Sequence, residues 1–167
     1  MINSEVGHAE ADSYVDLTYV DNFVAFSVDN ALWPTTDAEK EAALVEATRI
    51  LDSQFDWKGL IASETQALRW PRSGVYDADD RLISDSIVPK AIKDAVCSLA
   101  YYLVQNGGLK QAQGEIKGLK IGPIDLKFAE GSETIGVPKY IARSLKSFGS
   151  FIGVVQGSAY SVDALRS

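Results

Sequence analysis

Histidine and cysteine are almost missing from this sequence: each occurs once, as His8 and Cys97. One cysteine excludes an internal disulfide framework and any multi-cysteine zinc site. One histidine leaves little for a nucleophilic triad or an imidazole metal centre, because both need a base or ligand set around it. No apolar run approaches the ~20 residues of a membrane-spanning helix. Residues 1–12 hold three acids and no base, so they read as neither a secretory signal nor a transit peptide. Positive charge is short as well: 16 Lys and Arg face 23 Asp and Glu, a net charge of −7. Such a chain repels phosphate backbones unless its few cations gather on one face.

What is present suffices for a core. The chain has 167 residues, 46% of them hydrophobic, which fits one domain and excludes wholesale disorder. Leu17, Tyr19, Val20, Phe23, Val24 and Phe26 share one side of a helical wheel. Thr18 and Asp21 have the spacing of a capping box there. A second box, Thr36 with Glu39, opens a helix over 37–53 with an apolar stripe of Ala43, Leu44, Ala47, Ile50 and Leu51. Pro89 starts a third helix, which Asn106-Gly107-Gly108 ends. Its main apolar face carries Ile92, Ala95, Val96, Leu99 and Leu103, with Cys97, Tyr101 and Val104 on the other half. A helix apolar on two sides is central or lies at an interface.

Between these helices, residues 55–88 lose periodicity, and a loop of this length in a small domain is often functional. Val75-Tyr76 and Arg81-Leu82-Ile83 could close a small hairpin in it. Residues 115–121 and 124–128 alternate around Gly122-Pro123 and read as a β-hairpin. A last helix begins at Val137-Pro138, with Lys139, Arg143 and Lys146 on one side. The expected class is mainly α: a small helical bundle with a long inserted loop and a β-hairpin, a minor α+β component. The expected organisation is a mobile N-terminal arm over 1–12, a domain over 13–148 and a C-terminal assembly tail over 149–167.

No catalytic, metal or cofactor site is expected. Cys97 sits mid-helix without a histidine partner and reads as a packing residue. Asp77, Asp79 and Asp80 suggest calcium, but an EF-hand would need Gly at 82 and Glu at 88, where Leu and Val stand. Trp33, Trp57 and Trp70 could stack bases as in single-strand binders, although anchoring in a core or an interface is the commoner use of tryptophan.

The order of segments carries a resemblance. It rests on Ser13-Tyr14-Val15-Asp16-Leu17, on 42–52, on Trp57-Lys58-Gly59, on 66–75 with its Arg69-Trp70-Pro71-Arg72, on 88–95 and on 116–124 with its Ile121-Gly122-Pro123. In these residues, over roughly 12–148, the chain resembles the small head–tail connector, or adaptor, proteins of tailed bacteriophages. Similar sequences often carry the label DnaT-like single-stranded-DNA-binding. The resemblance implies a structural virion protein, made in the bacterial cytoplasm and placed in the neck. It implies a homo-oligomeric ring, usually of twelve copies, between the portal and the next neck or tail protein. Double-stranded DNA would pass through its channel without tight binding. A ring subunit needs two different lateral faces. The candidate contact residues are Trp57, Trp70, Pro71 and Arg72 in the loop; Cys97, Tyr101 and Val104; Lys139, Arg143 and Lys146; and Phe151, Ile152, Val154 and Val155 in the tail, which could alternatively fold back on the 116–128 hairpin. The alternative function is single-stranded nucleic-acid binding through Trp57, Trp70 and the basic residues.

Overall fold

The structure, a computed structural model, describes residues 1–28, 30–107, 119–121, 124–126, 137–152 and 155–156, with 119–121, 124–126 and 155–156 described by backbone alone. Among the described residues the fold is mainly α with small β elements and no closed barrel.

Helix α1 spans Leu17–Ala25. Asp16 caps it: its backbone is extended and its carboxylate accepts the Tyr19 N–H at 2.7 Å. The expected cap, Thr18, lies inside the first turn, because a carboxylate just before the helix already reaches that orphan donor. Helix α2 spans Asp37–Gln54. Thr36 is its N-cap residue, but its hydroxyl donates to Glu39 Oε2 at 2.6 Å instead of capping the backbone. Asp37 and Glu39 still suit the positive end of the helix dipole. Helix α3 spans Lys90–Asn106 and ends at Gly107, whose φ of 65° is the left-handed conformation that glycine adopts without strain. Helix α4 spans Lys139–Ser144.

Helix α3 packs against α1, α2 and α4. That explains its two apolar sides and corrects one expectation. Cys97 is fully buried in this subunit's own core, not on a second outward surface. Burial chiefly, with the nearby Asp94 carboxylate, pushes its thiol up to about 12. Tyr101 and Val104 are half-buried, and the Tyr101 ring packs 6.2 Å from that of Trp33.

The aperiodic stretch contains short strands: β1 (Phe55–Trp57), β2 (Leu60–Ile61) and β3 (Arg72–Ser73). Strands β2 and β3 pair antiparallel. Gly59 makes this possible: its φ is 72°, and a Cβ there would lie 2.2 Å from the Ser73 carbonyl oxygen. The expected hairpin forms, with Tyr76 bridged to Leu82 and Ile83 N–H donating to Val75 O at 2.9 Å. Its acidic turn is held from within. Asp77 accepts the N–H groups of Asp79 and Arg81, and the Arg81 guanidinium pairs with Asp77 and Asp79.

Strand β4 (Leu119–Ile121) pairs antiparallel with β5 (Ile124–Leu126), in the register expected around Gly122-Pro123. The remainder of that hairpin, 115–118 and 127–128, lies outside the described residues. Strand β6 (Val137–Pro138) pairs in parallel with β8 (Val155–Gln156). Strand β7 (Gly149–Phe151) pairs antiparallel with β1, Phe55 opposite Phe151, and Ile152 N–H donates to Gln54 O at 2.8 Å. The start of the expected assembly tail is therefore part of the domain, and its partner is β1, not the 116–128 hairpin. The reason is geometric: Gly149 lets β7 approach so closely that a Cβ would sit 2.6 Å from the Asp56 carbonyl oxygen. Val154 lies outside the described residues.

An aromatic cluster closes this end of the core. Trp70, 1% exposed, stands edge-on to Trp57 at 5.9 Å and to Phe148 at 6.0 Å. Phe55 stacks on Trp57 at 4.9 Å and meets Phe151 at 5.2 Å. The N-terminal arm is built in as well. Asp12 N–H donates to Asn3 O at 2.7 Å, Ala67 N–H donates to His8 O at 3.1 Å, and Ala11 is buried. His8 is a structural acceptor, its Nδ1 taking the Glu10 N–H at 3.0 Å.

Candidate nucleic-acid interface

Burial sorts the sequence candidates. Trp57 and Trp70 are 7% and 1% exposed, and Pro71 is buried, so these rings pack into this chain's own core and do not stand out as stacking platforms. Large aromatics here bring more stabilisation inside a cluster than on an open loop. Trp33 is half-buried and its Nε1 donates to Asp21 Oδ1 at 3.0 Å. Arg72 is no free fork either. Its guanidinium donates to the carbonyl oxygens of Lys58 and Gly59 at 2.7 Å, of Arg69 at 3.2 Å and of Trp57 at 3.4 Å. Desolvation, reinforced by the neighbouring Arg69 charge, lowers its pKa. Arg72 thus ties β1, the β1–β2 turn and the Trp70 loop together.

That loop is pinned by a polar network the sequence reading missed. The Tyr14 hydroxyl donates to Asp52 Oδ1 at 2.6 Å and accepts the Trp70 N–H at 3.1 Å. Arg69 N–H donates to Asp52 Oδ2 at 3.1 Å. Burial raises both the Tyr14 hydroxyl and the Asp52 carboxyl above their ordinary values, the Asp52 charge adding to the shift on Tyr14. Its three links join residues 17, 38 and 56 positions apart, so no local pattern signals it.

The basic side expected on the last helix is helical only in part: α4 carries Lys139 and Arg143, and Lys146 follows in the turn after Leu145. Lys139, Arg143 and Lys146 are exposed, and none forms an ion pair among the described residues. Ile141 and Leu145 turn the opposite side into the core. Tyr140, not singled out from the sequence, stands 59% exposed between Lys139 and Arg143. Partial burial, with Tyr102 nearby, raises its hydroxyl pKa. Lys58 extends the strip: its Nζ donates to Ser147 O at 3.0 Å and its backbone N–H to Phe148 O at 2.9 Å. The result is a run of cations beside one exposed ring, the combination that tracks a phosphate backbone and stacks a base. Among the described residues no cluster of three or more His, Cys, Asp or Glu side chains could hold a metal ion, and no helix is long and apolar enough to cross a membrane.

Fold and surface thus define a small, mainly helical protein with a locally basic strip on an acidic body. The whole chain, residues 1–167, matches the family described as "Putative DnaT-like ssDNA binding protein", and the chain belongs to that family. Neither a curated protein nor a solved structure matches it.

Proposed function

We propose that the chain binds single-stranded DNA along the strip formed by Lys139 and Arg143 of α4, by Lys146 in the turn after it, by Lys58 and by the Tyr140 ring. One observation carries this reading: three exposed cations at i, i+4 and i+7, unpaired among the described residues, flank an exposed aromatic. Membership of a family described as ssDNA-binding supports it. The mechanism is electrostatic tracking of phosphates plus stacking on Tyr140, not on Trp57 or Trp70. Filter binding of an oligothymidylate at several salt concentrations tests it. Each single-strand phosphate contact contributes about 0.7 to the slope of log affinity against log salt. Replacing Lys139, Arg143 and Lys146 by Gln together should flatten that slope by about 2. Absence of binding, or a slope unchanged by the triple variant, overturns the reading.

A second reading is a ring adaptor in the neck of a bacteriophage virion, between portal and tail. One observation favours it: exposed apolar side chains on two separate elements, Phe26, Val28 and Leu32 after α1, and Leu60, Ile61 and Leu82 around β2 and the following hairpin. A cyclic ring pairs two different faces of each subunit. Native mass spectrometry distinguishes the readings, since a closed ring gives one defined high-mass species and a strand-binding monomer does not.

A further inference from the structure

Beside the basic strip lies a bay of about 270 Å³ between the end of α2, β1 and the Trp70 loop. Phe55 and Trp57 contribute apolar wall, and Ile152, 66% exposed, stands at its rim. Its free polar groups are of opposite sign. The Arg69 guanidinium makes no hydrogen bond and no ion pair among the described residues, and neither does the Asp56 carboxylate. The two lie in one bay without pairing with each other. The Trp57 indole N–H is not a third free group, because it is buried against the Asp52 carboxylate. Arg72 and Asp52 are already engaged, as described above. A phosphate fits this bay poorly, because Asp56 would repel it. A flat ligand with adjacent acceptors and donors answers both free groups at once.

Resting on the strand-binding reading, we infer that the bay holds one unstacked base of the bound strand and prefers guanine. Single strands are read by splaying out bases and bonding their Watson–Crick and Hoogsteen edges. Guanine offers two adjacent acceptors, O6 and N7, to a bidentate arginine, and two adjacent donors, N1–H and the N2 amine, to a carboxylate. Arg69 takes the first edge and Asp56 the second. Cytosine lacks the paired donors, and adenine and thymine lack both sets. Lys58 connects bay and strip: Arg72 Nε donates to Lys58 O at 2.7 Å while Lys58 Nζ reaches Ser147 O.

The test compares the full chain's affinity for a short oligothymidylate with that for the same strand carrying one central guanine, by fluorescence anisotropy. One bidentate pair discriminates by roughly five- to a hundredfold. The guanine strand should therefore bind at least about fivefold tighter. The preference should vanish in Asp56→Asn and in Arg69→Gln, both surface changes whose folding is checked by melting. A central inosine, which lacks the N2 amine, should fall between the two strands. Equal affinity for both strands, or a guanine preference surviving in both variants, overturns the bay assignment and leaves strand binding standing. Binding to neither strand overturns both.

Discussion

Replacing Trp70 separates a core role from a surface role. Its side chain is 1% exposed and held edge-on between Trp57 and Phe148. Trp70→Ala removes that packing and leaves a cavity among rings that cannot collapse far, a change that costs about 3–5 kcal/mol. For a domain of this size each kcal/mol shifts the melting midpoint by roughly 2–4 °C, so a fall of roughly 6–20 °C is expected. Trp70→Phe behaves differently. It keeps one ring in the edge-to-face contacts and deletes an indole N–H that has no partner among the described residues. Burying such a donor costs about 1–3 kcal/mol, and losing the second ring of the indole costs a similar amount in packing. The two effects offset, and Trp70→Phe should melt within a few degrees of the native chain. The assay is thermal melting by circular dichroism, paired with strand binding measured well below each midpoint. Both variants should bind DNA with native affinity per folded molecule. A Trp70→Ala chain that melts normally yet loses strand binding would show that the ring works at a surface, and the argument from burial would fail.

Other substitutions probe the remaining links. Burial raises the Asp52 carboxyl above its ordinary 3.8, so the folded chain holds that proton more tightly than the unfolded chain. The native protein should therefore lose stability relative to Asp52→Asn as pH rises from about 4 through the raised value; denaturant midpoints across that window check it, and a difference running the other way refutes it. Gly149→Ala forces a Cβ against the Asp56 carbonyl oxygen at 2.6 Å, so it should lower the melting midpoint by several degrees, whereas a tail outside the domain would tolerate it. Asp16→Ala removes the α1 cap and should cost about 0.5–2 kcal/mol by denaturant unfolding.

Local signals were legible and distant ones were not. The ends of α3 followed from Pro89 and Asn106-Gly107, because caps and breakers act over one turn. The β4–β5 register followed from alternation around Gly122-Pro123. The placement of Trp57 and Trp70 did not, since an aromatic in an aperiodic loop is equally compatible with a core plug and a partner contact until β1, β7 and Phe148 close around it. The pairing of β7 with β1 joins residues almost a hundred positions apart, and nothing near Gly149 announces it. Arg72 had the residue type of an interface anchor, yet the backbone carbonyls of the β1–β2 turn claim its donors. At the candidate site the cations Lys139 and Arg143 of α4 were readable from spacing, whereas the end of the helix before Lys146 was not. Tyr140 and the Arg69–Asp56 bay were not, because each depends on which neighbours stay away from it.

Net charge argued against DNA binding more strongly than the surface does. Among the described residues several acids are already engaged away from α4. Asp16 caps α1, Asp21 takes Trp33 and Lys40, Asp52 takes Tyr14, and Asp77 and Asp79 take Arg81. Residues 139–148 contain three cations and no acid. At physiological salt the Debye length is about 8 Å, so a phosphate touching α4 feels those cations and little of the distant negative charge. At low salt the screening length grows to about 30 Å and the acidic body begins to repel the same strand. Contact cations alone give affinity that rises steadily as salt is removed, whereas contact cations on an acidic body give affinity that levels off at the lowest salt. That curvature is what the separation of charge within this chain predicts for strand binding through α4. A strictly linear dependence down to millimolar salt would place the strand somewhere other than this strip.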